Sequence, residues 1–237
     1  MTDCTVIIPV FNEDPEIVSQ TYHELTDLGA EVIIVDDGNS MDLPTSINSI
    51  TYPAHVGYGY AIKFGIQHAT RPLIMVMDGD GQHTVSDAQK LYKVFNMIEN
   101  CDMLIGQRYG LVESSLRKWG RKSLNFLAAI ISRHYLSDLN SGMRIFRKDL
   151  AVSYNSILCD TFSFTTSITM SMITDGYKVI NFPINVQPRI SGKSHVHVVK
   201  DGFVTLYYIL FIGIALRTRG LRKSMRPVIS RMLGRSH

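Results

Sequence analysis

A chain of 237 residues has room for one large domain, or one domain with an appendage, around a substantial core. With 45% hydrophobic and 19% charged residues its composition is globular, which excludes a disordered chain. The net charge of +3 hides an asymmetry: seven of the 24 Lys/Arg and none of the 21 acidic residues fall between Arg217 and His237, leaving the first 216 residues at −4. A mildly acidic body with a strongly basic tail calls for an anionic partner of the tail, nucleic acid or lipid. Cys4, Cys101 and Cys159 are far apart, make no metal spacing and read as reduced, buried thiols, so a cytosolic face is expected. Met1-Thr2-Asp3-Cys4 opens without the basic and apolar regions of a secretory signal.

Cys4 to Val10 (CTVIIPV) is a β-branched run and reads as the first strand. Asp14 and Pro15 supply an N-cap and a first-turn proline for a helix that carries Ile17, Tyr22, Leu25 and Leu28 and stops at Gly29. Glu31 to Val35 is a second strand running into Asp36-Asp37-Gly38. A short strand near Ile50 to Tyr52 precedes Gly57-Tyr58-Gly59 and a helix from Tyr60 to about Ala69. The apolar run from Leu73 is a buried strand ending in Asp78-Gly79-Asp80-Gly81-Gln82-His83. Thr84 to Ile98 reads as a helix and Asp102 to Gly106 as a strand. This rhythm calls for a doubly wound, largely parallel sheet. The second half differs: a long helix with a basic start over Leu116 to Tyr135, a strand over Met143 to Phe146, and a threonine-rich helix over Phe164 to Thr174. Two short strands broken at Pro183 follow within Lys178 to Val186, then a polar loop over Arg189 to His195. A catalytic unit over 1–199 and a membrane-associated segment over 200–237 are expected.

Acidic residues follow three strands: Glu13, the Asp36-Asp37 pair, and Asp78 with Asp80. In a parallel sheet those ends share one edge, where ligands bind. Asp-x-Asp with Gln82 next in line offers hard oxygens suited to Mg²⁺ or Mn²⁺ shared with a diphosphate, although Asp and Gly are also ordinary turn residues. An acidic site needs such a cation to hold a diphosphate at all. Gly57-Tyr58-Gly59 lacks a well-spaced third glycine, the next being Gly65, and reads as close helix–strand packing beside a nucleotide.

Taken in series, Ile8-Pro9-Val10-Phe11-Asn12-Glu13, Val35-Asp36-Asp37-Gly38, the Gly57-to-Gly65 stretch and Asp78-Gly79-Asp80 resemble the family 2 glycosyltransferases, whose catalytic domain has the α/β GT-A fold. Four further segments resemble the polyprenyl-phosphate glycosyltransferases: Asp80-Gly81-Gln82-His83, Gln107-Arg108-Tyr109, Asp138-Leu139-Asn140-Ser141-Gly142-Met143-Arg144, and Arg189 to His195. The resemblance implies that Asp78, Asp80 and Gln82 engage metal and diphosphate. Pro9, Phe11, Glu13, Val35, Asp37 and Gly79 would line the nucleotide-sugar, with Arg189, Lys193 and His195 closing over its phosphates. Arg108, Arg117, Arg121 and Asn125 would receive an acceptor phosphate, and Asp80, Arg117 and Arg121 are the expected catalytic residues. Two positions depart from the pattern: His195 stands where a Lys is expected, and Arg121 where a Ser is expected.

Arg117, Arg121 and Asn125 are spaced i, i+4, i+8 and share a helix face even without the resemblance. Two guanidiniums there suit a phosphate, with a solvated basic face as the plain alternative. Between Asp160 and Thr166 only Asp160 can serve as a general base. A hydroxyl nucleophile needs one and an ionised phosphate does not. A lipid phosphate acceptor is therefore expected, with a sugar hydroxyl activated by Asp160 as the alternative. Phe203 to Leu216 holds fourteen uncharged residues, short of the roughly 20 that span a bilayer. A basic stretch with Leu221, Met225, Val228, Ile229 and Met232 at helical spacing follows, so the C-terminal region reads as amphipathic helices lying on a membrane. The expectation is an inverting, Mg²⁺- or Mn²⁺-dependent transfer from a UDP- or GDP-sugar to a polyprenyl phosphate on the cytoplasmic face of a membrane. No nucleic-acid partner is expected, and homo-oligomerisation stays open. A non-catalytic sugar-nucleotide or membrane-binding module is the competing class.

Overall fold

The computed structural model describes residues 1–38, 41–109, 115–187 and 202–216, with only the backbone given for 115–117. Arg189, Lys193, His195, the Arg117 side chain and the basic stretch 217–237 lie outside the described residues. The elements run β1 (Cys4–Val10), α1 (Pro15–Asp27), β2 (Glu31–Asp37), β3 (Ser49–Tyr52), α2 (Tyr58–His68), β4 (Leu73–Val76) and α3 (Val85–Met97). Then come β5 (Met103–Tyr109), α4 (Ser115–Ser132), β6 (Arg144–Arg147), α5 (Lys148–Tyr154), α6 (Phe164–Thr174) and β7 (Val179–Asn185). A last helix, α7, occupies 202–216. The strands form one seven-stranded sheet in the order β3-β2-β1-β4-β6-β5-β7.

Local chemistry starts the helices where the sequence places them. The Asp14 carboxylate accepts from Glu16 N at 2.9 Å ahead of α1. The Thr84 hydroxyl accepts from Asp87 N and donates to the Asp87 carboxylate ahead of α3. Strands β1, β2 and β4 are covered by helices on both faces, which their unbroken apolar runs require.

Every neighbouring pair is parallel except the two made by β6. Arg144 at the start of β6 lies opposite Val76 at the end of β4, and opposite Ile105 in β5. The loop just before β6 is therefore delivered to the edge where β1, β2, β4 and β5 end. Its Met143 carbonyl accepts from Gly106 N at 2.9 Å.

Three local features differ from the sequence pattern. Strand β7 runs unbroken through Pro183, because it is the last strand of the sheet and a missing N–H on its outer side breaks no ladder bond. Helix α5 carries only seven residues, too few for a periodic signal, and is held by buried Leu150, Ala151 and Tyr154. Helix α6 is buried from Phe164 to Ile173 despite its hydroxyls. Those hydroxyls find partners within the fold: Thr169 donates to Thr165 O, Ser171 to Ser167 O, and Thr166 to Asn140 Oδ1.

Helix α7 is seated on the body by Ile209, Ile212 and Leu216, which join the cluster containing Ala128 and Phe164. Its Thr205 hydroxyl bonds that of Ser163 at 3.0 Å. The opposite stripe of Phe203, Tyr207, Leu210, Phe211 and Ile214 is exposed.

The first turn of α2 packs on the loop before α6 without room for a side chain. A Cβ on Gly59 would overlap the Cys159 carbonyl oxygen and stand 2.7 Å from that of Thr161. Gly59→Ala must push α2 off this loop, and overpacking of that kind costs about 1–3 kcal/mol. The expected result is a lower urea midpoint with an unchanged m-value.

Candidate active site

The strand ends enclose a cleft of about 310 Å³. It gathers Pro9, Phe11, Glu13, Asp37, Asp78, Gly79 and Asp80 from the expected nucleotide-sugar residues. To these it adds His55, Val56, Gly57 and Tyr58 from the stretch entering α2, and Thr161 and Phe162 from the loop packed beside it.

Asp37 organises one end. Its Oδ1 accepts from Val56 N at 2.8 Å and its Oδ2 from Gly57 N at 2.9 Å, while His55 Nδ1 lies 2.8 Å from Oδ2. This holds the imidazole of His55 against the Phe11 ring, with centroids 4.0 Å apart and planes 23° from parallel. Val35 takes no part in the cleft. Its side chain is fully buried on the α2 side of the sheet, 3.1 Å from where a Cβ on Gly65 would lie. Successive side chains of a strand face opposite ways, and Val35 faces the core.

Asp78 follows the last residues of β4. Its Oδ1 accepts from the Tyr58 hydroxyl at 2.8 Å, and His83 Nε2 stands 3.3 Å from its Oδ2. Gly142, in the loop before β6, abuts the carboxylate so closely that a Cβ would overlap it. Burial alone would raise the Asp78 pKa, but His83 and the Tyr58 hydroxyl hold it below the ordinary range. Burial and the Asp78 charge push the Tyr58 phenol upward, so Tyr58 stays a neutral donor. Asp80 is buried, and its Oδ1 accepts from Gln82 N at 3.0 Å, closing an Asx-type turn. The Gln82 amide nitrogen donates to Gln187 O at 3.4 Å, so its oxygen is the end that can ligate a cation. Among the described residues no three acidic, His or Cys side chains converge as a metal set. Two carboxylates and an amide fit a small hard cation whose other positions go to substrate oxygens, the usual arrangement for Mg²⁺.

The arginine side departs from expectation at two positions. The Arg108 guanidinium grips Asp138 with both fork nitrogens, at 2.8 and 3.0 Å, so it braces the loop before β6. Asn125 is 4% exposed and donates to Ser137 O at 2.6 Å, fastening α4 to that loop instead of lining the cleft. Arg121 is half-buried on α4, and its charge helps to lower the Asp138 pKa. The Asp160 carboxylate is paired with Lys63 and is absent from the cleft wall.

The sequence reading gave no role to Tyr58, His55, His83, Gly142 or Arg144. His83 closes a quoted motif, and Gly142 and Arg144 sit in another, so position beside known chemistry was the available signal. Arg144 is fully buried and donates to the carbonyls of Thr165, Leu139 and Ser141, shaping the loop that carries Gly142. Burial pushes its pKa down to about 10, which leaves it charged at neutral pH.

The Arg108–Asp138 pair sets an acid-side prediction. Burial opposes the Asp138 charge, but Arg108 overcomes this and depresses the folded pKa below the usual value of about 3.9. Its stabilisation is complete above that value and is lost as pH falls through the folded pKa. Asp138→Ala should cost roughly 3 kcal/mol at pH 7, because the partly buried Arg108 guanidinium loses its bidentate acceptor. In chemical denaturation the gap from the wild type should narrow below about pH 4.

The family described as glycosyl transferase family 2 matches residues 5–154, from β1 through α5. The chain is 25% identical to polyprenol monophosphomannose synthase of Mycolicibacterium smegmatis, over 80% of this chain and 79% of that one. It is 26% identical to undecaprenyl-phosphate 4-deoxy-4-formamido-L-arabinose transferase of Sodalis glossinidius, over 97% and 72%. Its fold superposes on glucosyl-3-phosphoglycerate synthase from Mycobacterium tuberculosis, crystallised with Mn²⁺, UDP and phosphoglyceric acid, with a TM-score of 0.72. That alignment has 14% identity and covers 89% of this chain and 78% of that one. The sheet is that of the GT-A fold. Because the family match spans more than half of the chain, the protein belongs to glycosyl transferase family 2 and is a glycosyltransferase.

Proposed function

We propose that this glycosyltransferase moves a sugar, with inversion, from a UDP- or GDP-sugar to a polyprenyl phosphate at a membrane surface, with Mg²⁺ or Mn²⁺ bound. The observation that carries the acceptor is the part of the cleft lined by the loop before α6. Thr161 and Phe162 bring no acid there, and the Asp160 carboxylate is held by Lys63. A hydroxyl acceptor needs a base there, whereas a phosphate monoester arrives already ionised. The names of the two relatives, one a polyprenol monophosphomannose synthase and the other an undecaprenyl-phosphate transferase, support the same acceptor class.

In this reading Asp78, Asp80 and Gln82 hold the cation, which supplies charge neutralisation for the departing diphosphate when bound. The Mn²⁺ and UDP in the structural neighbour support that assignment. Pro9, Phe11, Glu13, Asp37 and Gly79 receive the nucleotide-sugar, and the Phe11–His55 stack offers the base a flat wall. Arg189, Lys193 and His195 close over its phosphates. Arg117 and Arg121 orient the acceptor phosphate for in-line attack at the anomeric carbon.

Membrane contact is supported by α7, which is apolar on its packed face and on its exposed one. A helix apolar all round is normally covered by something. On α4, Trp119 (75% exposed), Phe126 and Ile130 are exposed too, alongside exposed Lys118 and Lys122. Among the described residues no helix is long and apolar enough to cross a membrane, so the reading is of a surface contact.

The test is to incubate membranes carrying the protein with labelled UDP- and GDP-sugars, with and without EDTA, and to analyse the lipid extract. Label should enter an acid-labile lipid from one donor, and should be lost with EDTA and in Asp80→Ala. Label passing to soluble sugars in preference to lipid would overturn the acceptor. Gly142→Ala, which displaces the Asp78 carboxylate, should lower kcat/KM by about 10–100-fold.

A further inference from the structure

We infer that Tyr58 and His83 are positioning residues for Asp78, each fixing one carboxylate oxygen so that the remaining lone pairs face the cation. The inference rests on the reading of Asp78 as a cation-binding residue. Tyr58 takes Oδ1 at 2.8 Å, and His83 meets Oδ2 at 3.3 Å. Each carboxylate oxygen has two acceptor directions, so one bond apiece leaves the other available. The Gly142 Cα closes a third side.

These groups come from three separate stretches, and each is itself held. Tyr58 opens α2, whose first turn is seated on the 159–161 loop at Gly59, and its ring packs on Phe162 with centroids 5.9 Å apart. His83 is 6% exposed, in the turn between β4 and α3. Gly142 lies two residues ahead of the buried Arg144, whose bonds to the Leu139 and Ser141 carbonyls set the loop. An aspartate at a strand end otherwise turns freely about its terminal torsion, which is broad and roughly two-fold. Two donors on opposite oxygens remove that freedom before the cation arrives. Outer partners of this kind typically govern metal affinity by about 10–100-fold.

The deciding measurement is Mn²⁺ binding to the whole protein in the presence of UDP, followed by the EPR signal of free Mn²⁺. Tyr58→Phe and His83→Ala should each weaken Mn²⁺ by about tenfold or more. His83→Gln, which keeps an N–H donor, should recover most of the loss, and UDP binding without Mn²⁺ should be unchanged in both His83 variants, whose side chain lies outside the cleft lining. Tyr58→Phe keeps the ring and its contact with Phe162, so an unchanged melting temperature verifies its fold. Should it fail to fold, His83→Ala and its rescue by His83→Gln decide the matter. Wild-type Mn²⁺ affinity in the folded variants overturns the positioning role. If in the same titration Asp80→Ala loses Mn²⁺, the cation reading survives that failure. A wild-type protein that binds no Mn²⁺ with UDP present removes both.

Discussion

The antiparallel entry of β6 between β4 and β5 is the constraint on which the cleft depends. Parallel strands place their carboxyl ends on one edge, and an additional parallel strand would have brought its amino end to the opposite side. Because β6 runs the other way, the residues before it arrive level with the residues after β4. Asp138 thereby meets Arg108, Gly142 meets Asp78, and Arg144 reaches the carbonyls that shape the loop between them. A single reversed strand thus couples the Asp-x-Asp turn to the loop to which α4 is fastened.

That edge concentrates negative charge, which repels itself and is costly to bury. Three of these carboxylates are answered by different devices. Asp37 accepts two backbone N–H groups and faces His55; Asp78 has the Tyr58 hydroxyl and His83; Asp138 has the Arg108 fork. These partners also fix position, since each carboxylate pins a segment that would otherwise be loop. The same economy applies to α6, where serine and threonine hydroxyls bond back into the fold and a polar-looking sequence becomes an interior helix.

Much of this was legible in the sequence. The β-branched runs, the Asp14 and Thr84 caps and the acidic strand ends located most elements and the cleft, because each is a local signal. Val35 was misplaced because the strand run does not say which face each residue takes until the register is known. Arg108 and Asn125 were read as ligand residues because their chemistry suits a phosphate; their partners, Asp138 and the Ser137 carbonyl, are 30 and 12 residues away. Tyr58 and His83 were passed over for the converse reason. Their bonds to Asp78 depend on how α2 and the turn after β4 pack, which spacing does not encode.

Helix α4 joins the two halves of the proposed function by geometry alone. Successive residues turn by about 100°, so Trp119, Phe126 and Ile130 fall on one stripe, and Arg121 and Asn125 lie roughly 120–160° around the axis from it. The first stripe is exposed, whereas Asn125 is buried against the Ser137 carbonyl and the Arg121 charge helps to lower the Asp138 pKa. A third side, near Ile131, meets α7 at Gly213 so closely that a Cβ there would overlap the Ile131 side chain. The exposed stripes of α4 and α7 thus belong to two helices in direct contact, and Arg121 lies on a different side of α4. The proposed acceptor, with an apolar tail and an ionised head, would match this division of α4 and α7: apolar stripes for the tail, and a separate cationic side carrying Arg121 for the head.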